Sequence, residues 1–230
     1  MEFVGIEKLS LVDFDHHLSA TLFTPGCNFK CPFCHNSPLV TSFKNEIIPF
    51  DDVLSFLKKR VRVLDAVVIS GGEPTLHKDL LDKIMAIKNL GYLIKLDTNG
   101  TNPEMIKELV NLKLIDYVAM DIKNSLDKYS LAAGYTGDLS NVKESIEYLK
   151  ENHIDYEFRT TLVKEFHSLE DIKQMGVLLN GAKRIRLQLF KDSDSCIQRG
   201  LHPVDKRIAK EFTIELKNHI EDVSLRGYED

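Results

Sequence analysis

The segment Cys27-Asn28-Phe29-Lys30-Cys31-Pro32-Phe33-Cys34-His35-Asn36 holds three of the chain's four cysteines and a histidine within nine positions. Three chemistries accept such a set. Residues 31–35 have the C-x-x-C-H form of a covalent haem attachment site. Three sulfurs and the His35 ring nitrogen make a zinc ligand set. The spacing C-x3-C-x2-C also holds an iron–sulfur cluster, by three points only. Each chemistry makes a different demand on the rest of the chain, so the choice is made outside these ten residues.

The elements that must position the cysteines follow a repeated plan. Six short apolar runs read as buried parallel strands: Ala20–Phe23, Ala66–Ile69, Tyr92–Leu96, Tyr117–Met120, Tyr156–Leu162 and Ile185–Phe190. Helical stripes stand between them, stepping by three or four residues: Leu80/Ile84/Ile87/Leu90, Met105/Leu109/Leu112, Val142/Ile146/Leu149, Ile172/Met175/Leu179 and Ile208/Phe212/Leu216/Ile220. These stripes are read as core packing. Asp51-Asp52 and Asn102-Pro103 open helices, and Gly91 follows one. Residues 2–13 are expected to form an edge strand or hairpin.

Successive strand–helix units imply parallel strands with right-handed crossovers. Eight units close a full barrel. Six do not, so the expected fold is α/β, a partial, open (β/α)6 TIM-like barrel with a lateral gap. A single domain is expected over residues 1–230, with its core at about 12–190.

Polar groups cluster at the ends of these runs. The cysteine loop follows the first, and Ser70-Gly-Gly-Glu-Pro-Thr75 the second. Asp97-Thr-Asn-Gly100 ends the third and Asp121-Ile-Lys123 the fourth. Arg159, Thr160 and Thr161 lie in the fifth and Gln188 in the sixth. In a parallel α/β barrel all strand C-termini share one face, and that face carries the active site. Six separate features therefore converge on one mouth.

Bulk properties narrow the chemistry. The chain has 230 residues, 43% of them apolar, and a formal net charge of −5. It has no apolar stretch of membrane-spanning length, no signal-peptide pattern at residues 1–15, and no basic run suited to nucleic acid. The expectation is a cytoplasmic protein with neither nucleic-acid nor membrane partners, in a compartment that keeps thiols reduced. Haem attachment requires export, and a zinc finger usually requires a second ligand pair, which is not found downstream. A four-iron cluster has four ligand positions, and this motif supplies three. Cys196 lies far along the chain and is left unassigned. The economical reading leaves one iron open for a ligand that takes part in chemistry, with a zinc-stabilised binding module as the non-enzyme alternative.

The combination resembles the radical S-adenosylmethionine (SAM) enzymes. The segments FTPGCNFKCPFCHN, VVISGGEPTL, KLDTNG, DYVAMDIK and YEFRTTLV, in order between about Val12 and Phe190, are similar to those of glycyl-radical-enzyme activating enzymes. They are most similar to the longer form of the anaerobic ribonucleoside-triphosphate reductase activating protein, with the pyruvate formate-lyase activating enzyme next. The resemblance implies that Cys27, Cys31 and Cys34 hold three irons of a [4Fe–4S] cluster and that SAM binds the fourth. His35 then drops out of the ligand set.

The resemblance also implies roles around the cofactor. Phe33 packs near the adenine or simply fills core, and Asn36 caps the loop or touches the cofactor. Gly71 and Gly72 allow a close backbone approach to a ligand, and Glu73 is an acceptor or an ion-pair partner. Thr98 and Asn99 are cofactor contacts, as is Asp97, and Lys123 faces the cofactor carboxylate or pairs with Asp121. Arg159 lines the mouth or is a buried ion-pair partner. Asp97, Thr98 and Asp121 match positions that hold a monovalent cation in pyruvate formate-lyase activating enzymes. Mutual repulsion of the two carboxylates gives such a cation a physical reason to bind.

The implied activity is formation of a glycyl radical on a partner enzyme, with a flavodoxin- or ferredoxin-like electron donor. The open side of the barrel is expected to admit the partner's peptide loop. Arg226-Gly227-Tyr228 is similar to the Arg…Gly-Tyr stretch around a glycyl radical but lacks the residues expected between Arg and Gly. It is read as a frayed C-terminus.

Overall fold

All six expected runs form strands in the computed structural model, which describes residues 2–41 and 47–228. They are β2 (Ser19–Thr24), β3 (Ala66–Gly71), β4 (Leu93–Thr98), β5 (Tyr117–Asp121), β6 (Asp155–Leu162) and β7 (Arg184–Leu189). The N-terminal segment supplies β1 (Gly5–Ser10), antiparallel to β2. One eight-stranded sheet runs in sequence order from β1 to β8, all parallel after the first pair. The described residues show no pairing of β1 with β8, so the barrel stays open.

The last strand, β8 (Asp222–Arg226), corrects the reading of a frayed C-terminus. It pairs in parallel with β7. Arg226 donates to the buried Glu157 carboxylate at 2.9 and 3.1 Å and to Asp15 at 2.6 Å. The buried Tyr228 hydroxyl donates to the Val204 carbonyl. A five-residue strand with only two apolar residues, Val223 and Leu225, carries too short a pattern to stand out in sequence. Its stability comes from these long-range partners.

Strand alternation explains how the sheet can be both core and site. Val67, Ile69, Ile94, Leu96, Val118, Met120, Tyr156, Phe158, Ile185 and Leu187 join the main core. The intervening residues face the other side. There Lys95 lies 3.6 Å from Glu157 and 3.9 Å from Asp97, and Arg186 lies 3.8 Å from Glu157. Phe14, from the β1–β2 connection, packs with Ala66 and Val68 and against the Tyr117 ring, near the N-terminal ends of the strands.

The helices are α1 (Ser37–Thr41), α2 (Phe50–Lys58), α3 (Leu80–Lys88), α4 (Pro103–Asn111), α5 (Leu126–Ala133), α6 (Ser140–Glu151), α7 (Leu169–Leu178) and α8 (Lys206–Leu216). Helix α4 starts as expected: the Asn102 side chain accepts from the Met105 N–H, and Pro103 takes the first turn, where its missing N–H costs nothing. Two stripe residues face outward instead. Leu112 is 52% exposed and Ile208 is 36% exposed, while Ile106 and Ala209 take the buried positions.

Helix α5 was not anticipated. It ends on Gly134 in the left-handed conformation, where a Cβ would overlap the Lys30 carbonyl. Its C-terminus is therefore packed directly on the cysteine loop.

Candidate active site

A cavity of about 420 Å³ opens at the C-terminal ends of the strands. Cys27, Cys31 and Cys34 all line it, together with Phe33, Asn36, Gly71, Gly72, Glu73, Asp97, Thr98, Asn99, Asp121, Lys123 and Arg159. Every expected metal and cofactor residue thus borders one space. Asp13, Thr21, Phe23, Val40, Thr161 and Gln188 line it as well. Of these additions, Thr161 and Gln188 had been noted as polar strand-end residues.

The cysteine loop is held from three sides. Lys30 N–H donates to the Ala133 carbonyl at 2.9 Å, and the Cys31 thiol points to the same oxygen at 3.6 Å. Asn36 Nδ2 donates to the Gly71 carbonyl at 3.1 Å, tying the loop to the end of β3. Asn99 Nδ2 donates to Asn28 Oδ1 at 2.8 Å and lies 3.8 Å from Cys27 Sγ. Asn28 and Gly134 had carried no assignment. Their importance arises from contacts with residues about seventy and one hundred positions away, which no local motif encodes.

His35 also lines the cavity, with its ring held by the segment after β7. Its Nε2 contacts the Lys191 carbonyl at 2.6 Å, and its ring stacks on Phe190. Phe33 is buried against Phe166 and Phe190 at ring distances of 5.7 and 6.5 Å while bordering the cavity. Core filling is therefore observed, with one side of the ring left to the cavity. Cys196 is buried and is not among the cavity's lining residues. Its loop reaches the cysteine loop through Gln198 N–H and the Pro32 carbonyl at 2.8 Å.

Burial pushes the Cys27 thiol up to about 12 and Cys31 up to about 11, and it raises Cys34 too. The charge of Lys123 opposes the rise in all three. Such thiols stay protonated at neutral pH unless a metal takes the sulfur, because ligation replaces the proton with a stronger positive partner. Three cysteine sulfurs bordering one cavity fit iron, because soft thiolates are the usual ligands of iron–sulfur clusters. Among the described residues no three His, Cys, Asp or Glu side chains converge on one ion position.

The two glycines approach the chain's own backbone. A Cβ on Gly72 would overlap the Gly26 carbonyl, and one on Gly71 would overlap the Thr24 backbone. Glu73 N–H donates to the Gly26 carbonyl and Gly72 N–H to the Thr24 carbonyl. The glycines join the end of β3 to the cysteine loop that follows β2.

Glu73 is 1% exposed. Its carboxylate accepts from Thr75 N–H, Thr75 Oγ1, Thr98 Oγ1 and Asn99 N–H. Burial raises its pKa, against these four donors.

Charged groups on neighbouring strands complete the wall. Arg159 Nε donates to Asp121 Oδ1 at 2.9 Å and Nη1 to Asp97 Oδ1 at 3.2 Å. Lys123 donates to Asp121 Oδ2 at 2.9 Å, and Ser70 Oγ donates to Asp97 Oδ2 at 2.9 Å. Burial alone would raise the Asp121 pKa, yet Arg159 and Lys123 override it and hold the group at about 2. The same pairing raises Arg159 and Lys123 despite the opposing effect of burial. Arg159 thus both lines the mouth and forms a half-buried ion-pair bridge.

Residues 21–176 match the model of the radical SAM superfamily. The chain belongs to that superfamily. A relative from Methanocaldococcus jannaschii, provisionally named a glycyl-radical enzyme activating enzyme, is 39% identical over 83% of this chain and 80% of its own length. A second protein from that organism with the same provisional name is 28% identical over 76% of this chain.

Among solved structures, Streptococcus suis SuiB bound to S-adenosylmethionine superposes with a TM-score of 0.70 at 16% identity. The match covers 90% of this chain but only 52% of that one, so the chain spans about half of SuiB. A domain of a pyruvate-formate lyase-activating enzyme from Bacteroides vulgatus gives a TM-score of 0.58 at 17% identity, covering 70% of this chain and 99% of that one. At these identities the superpositions show the radical SAM fold alone.

Proposed function

We propose that this radical SAM chain is an activase that installs a glycyl radical on a partner enzyme, the anaerobic ribonucleoside-triphosphate reductase being the first candidate. One observation carries the reading: three cysteine sulfurs of one loop share a cavity with the ends of β3, β4, β5 and β6, and no fourth thiol lines it. Cys27, Cys31 and Cys34 would hold a [4Fe–4S] cluster and leave one iron for SAM. When bound, that pair supplies reductive cleavage of SAM and hence a hydrogen-abstracting radical.

The chain's own residues bind and orient. The wall bears both charge signs, from Asp97, Asp121, Lys123 and Arg159, which suits the amino-acid end of SAM. Phe33, Phe23 and Val40 offer apolar surface for the rest. The buried, fully hydrogen-bonded Glu73 keeps the loops after β3 and β4 in register. The open edge between β1 and β8 is where a peptide loop would enter. The provisional name of the M. jannaschii relatives supports a glycyl-radical protein as substrate. A flavodoxin- or ferredoxin-like protein would deliver the electron, and the reaction would run in the cytoplasm. No described helix is long and apolar enough to cross a membrane.

The test is anaerobic reconstitution with iron and sulfide, followed by incubation with SAM, a reductant and each candidate partner. A glycyl-radical signal in electron paramagnetic resonance is expected with the ribonucleotide reductase. A signal only with pyruvate formate-lyase would assign the pyruvate formate-lyase type. SAM cleavage without a signal on either partner would reject both and point to another substrate.

A further inference from the structure

We infer that the guanidinium of Arg159 is a built-in counter-ion, occupying in this chain the place between Asp97 and Asp121 where a monovalent cation would sit. The inference rests on the reading of these residues as part of the SAM pocket and says what holds that pocket's charge.

A cation beside Asp97, Thr98 and Asp121 would have to compete with the donors that already hold their oxygens. All four carboxylate oxygens already have partners. Asp121 Oδ1 accepts from Arg159 Nε and Oδ2 from Lys123 Nζ, both at 2.9 Å. Asp97 Oδ1 accepts from Arg159 Nη1 at 3.2 Å, and Oδ2 accepts from Ser70 Oγ at 2.9 Å. Thr98 Oγ1 donates to Glu73 Oε1 at 2.7 Å and accepts from Gly100 N–H at 3.1 Å. The charge also closes, since Asp97 and Asp121 face Arg159 and Lys123. Next to them, Lys95 stands 3.6 Å from Glu157. A guanidinium already between the two carboxylates repels a second cation.

The register favours arginine for this task. Arg159 on β6 stands directly opposite Asp121 on β5. Asp97 is one strand further, on β4, where it pairs with Ala119. One side chain must cross β5 and touch carboxylates on two strands. The planar fork of a guanidinium does this with two nitrogens, whereas a lysine ammonium offers a single point charge. Arg159 is thus a positioning residue: it fixes two carboxylates that would otherwise repel.

The experiment uses the cluster-free protein, so it reads the pocket without any turnover. Thermal midpoints are compared in potassium, sodium and tetramethylammonium chloride at equal ionic strength. For the wild type the three are expected to agree within about 1 °C, where a bound and selected ion would raise one by about 3 °C or more. Arg159→Met, which removes the charge and keeps bulk, is expected to fall in tetramethylammonium and recover in potassium or sodium. Arg159→Lys is expected to remain indifferent to the ion.

A wild type stabilised by potassium or sodium over tetramethylammonium overturns the inference. A folded Arg159→Met protein indifferent to all three salts overturns it too. If Arg159→Met does not fold, the wild type and Arg159→Lys decide. Failure of glycyl-radical formation would reject the proposed function while leaving these salt responses intact, so the two failures are distinguishable.

Discussion

The carboxylate of Glu73 accepts the backbone N–H of Asn99 at 2.6 Å. The two residues come from different loops, after β3 and at the end of β4. The same carboxylate takes the Thr75 N–H at 3.1 Å and the Thr98 hydroxyl at 2.7 Å. One buried side chain thus joins two of the segments that border the cysteine cavity.

Replacing Glu73 with Ala leaves two buried backbone N–H groups without acceptors. Each orphaned donor costs about 1–3 kcal/mol. The expected loss is therefore about 2–6 kcal/mol of stability, read as a lower urea midpoint of the cluster-free protein. An unchanged midpoint would show that water or another acceptor takes over.

Gly72→Ala should be as damaging through a different route. The added Cβ overlaps the Gly26 carbonyl, so backbone rather than a flexible side chain must move. Overpacking of this kind typically costs about 1–3 kcal/mol. Here it also shifts the residue next to Cys27. Both stability and iron retention after reconstitution should fall, and full iron content in a folded Gly72→Ala protein would contradict the packing argument.

Cys31→Ala and Cys196→Ala should separate cleanly. The first removes a sulfur that faces the cavity, and the second a buried thiol outside it. After anaerobic reconstitution, Cys196→Ala is expected to keep wild-type iron content and the broad absorption near ~400 nm of an iron–sulfur chromophore. Cys31→Ala is expected to lose most of both. Loss of the chromophore in Cys196→Ala would make that residue part of the metal site.

Asp121 gives a pH dependence with a definite sign. Its folded pKa of about 2 lies below the ordinary value of 3.8. The ionised form is therefore favoured by folding, and its stabilisation is fully present above pH ~4 and lost as pH falls toward 2. The carboxylate is 31% exposed to the cavity, so screening leaves roughly 1–2 kcal/mol. The stability gap between wild type and Asp121→Asn should be constant from pH 7 to 5 and should narrow below pH 4. A gap that widens in acid would mean that Arg159 and Lys123 are not its partners.

The strands that carry the site were legible because parallel strands under helices show as short β-branched runs. The three-cysteine loop was legible because its spacing is local, and the glycine pair was too. Its partner was not: Gly72 is required by the Gly26 carbonyl, forty-six residues earlier. Helix α5 was missed for the same kind of reason. Gly134 matters only because Lys30 lies against it. Strand β8 was misread because Arg226 finds Glu157 and Asp15 only after the sheet is assembled. Leu112 and Ile208 show the limit of periodicity, since a step of three or four does not say which of two adjacent rows meets the sheet.

By itself the sequence determined the alternation of strands and helices, the polar ends of the strands and the three-sulfur spacing. All of these are set by neighbours a few residues apart. Only the tertiary structure decided how the charges pair. From sequence, Asp97 and Asp121 are two acids in need of a cation, and Arg159 is a basic residue with two possible roles. The register of β4, β5 and β6 places that guanidinium between the two carboxylates. Pairing of buried charges depends on distance in space, and strands brought side by side from residues 97, 121 and 159 create that distance only when the sheet forms.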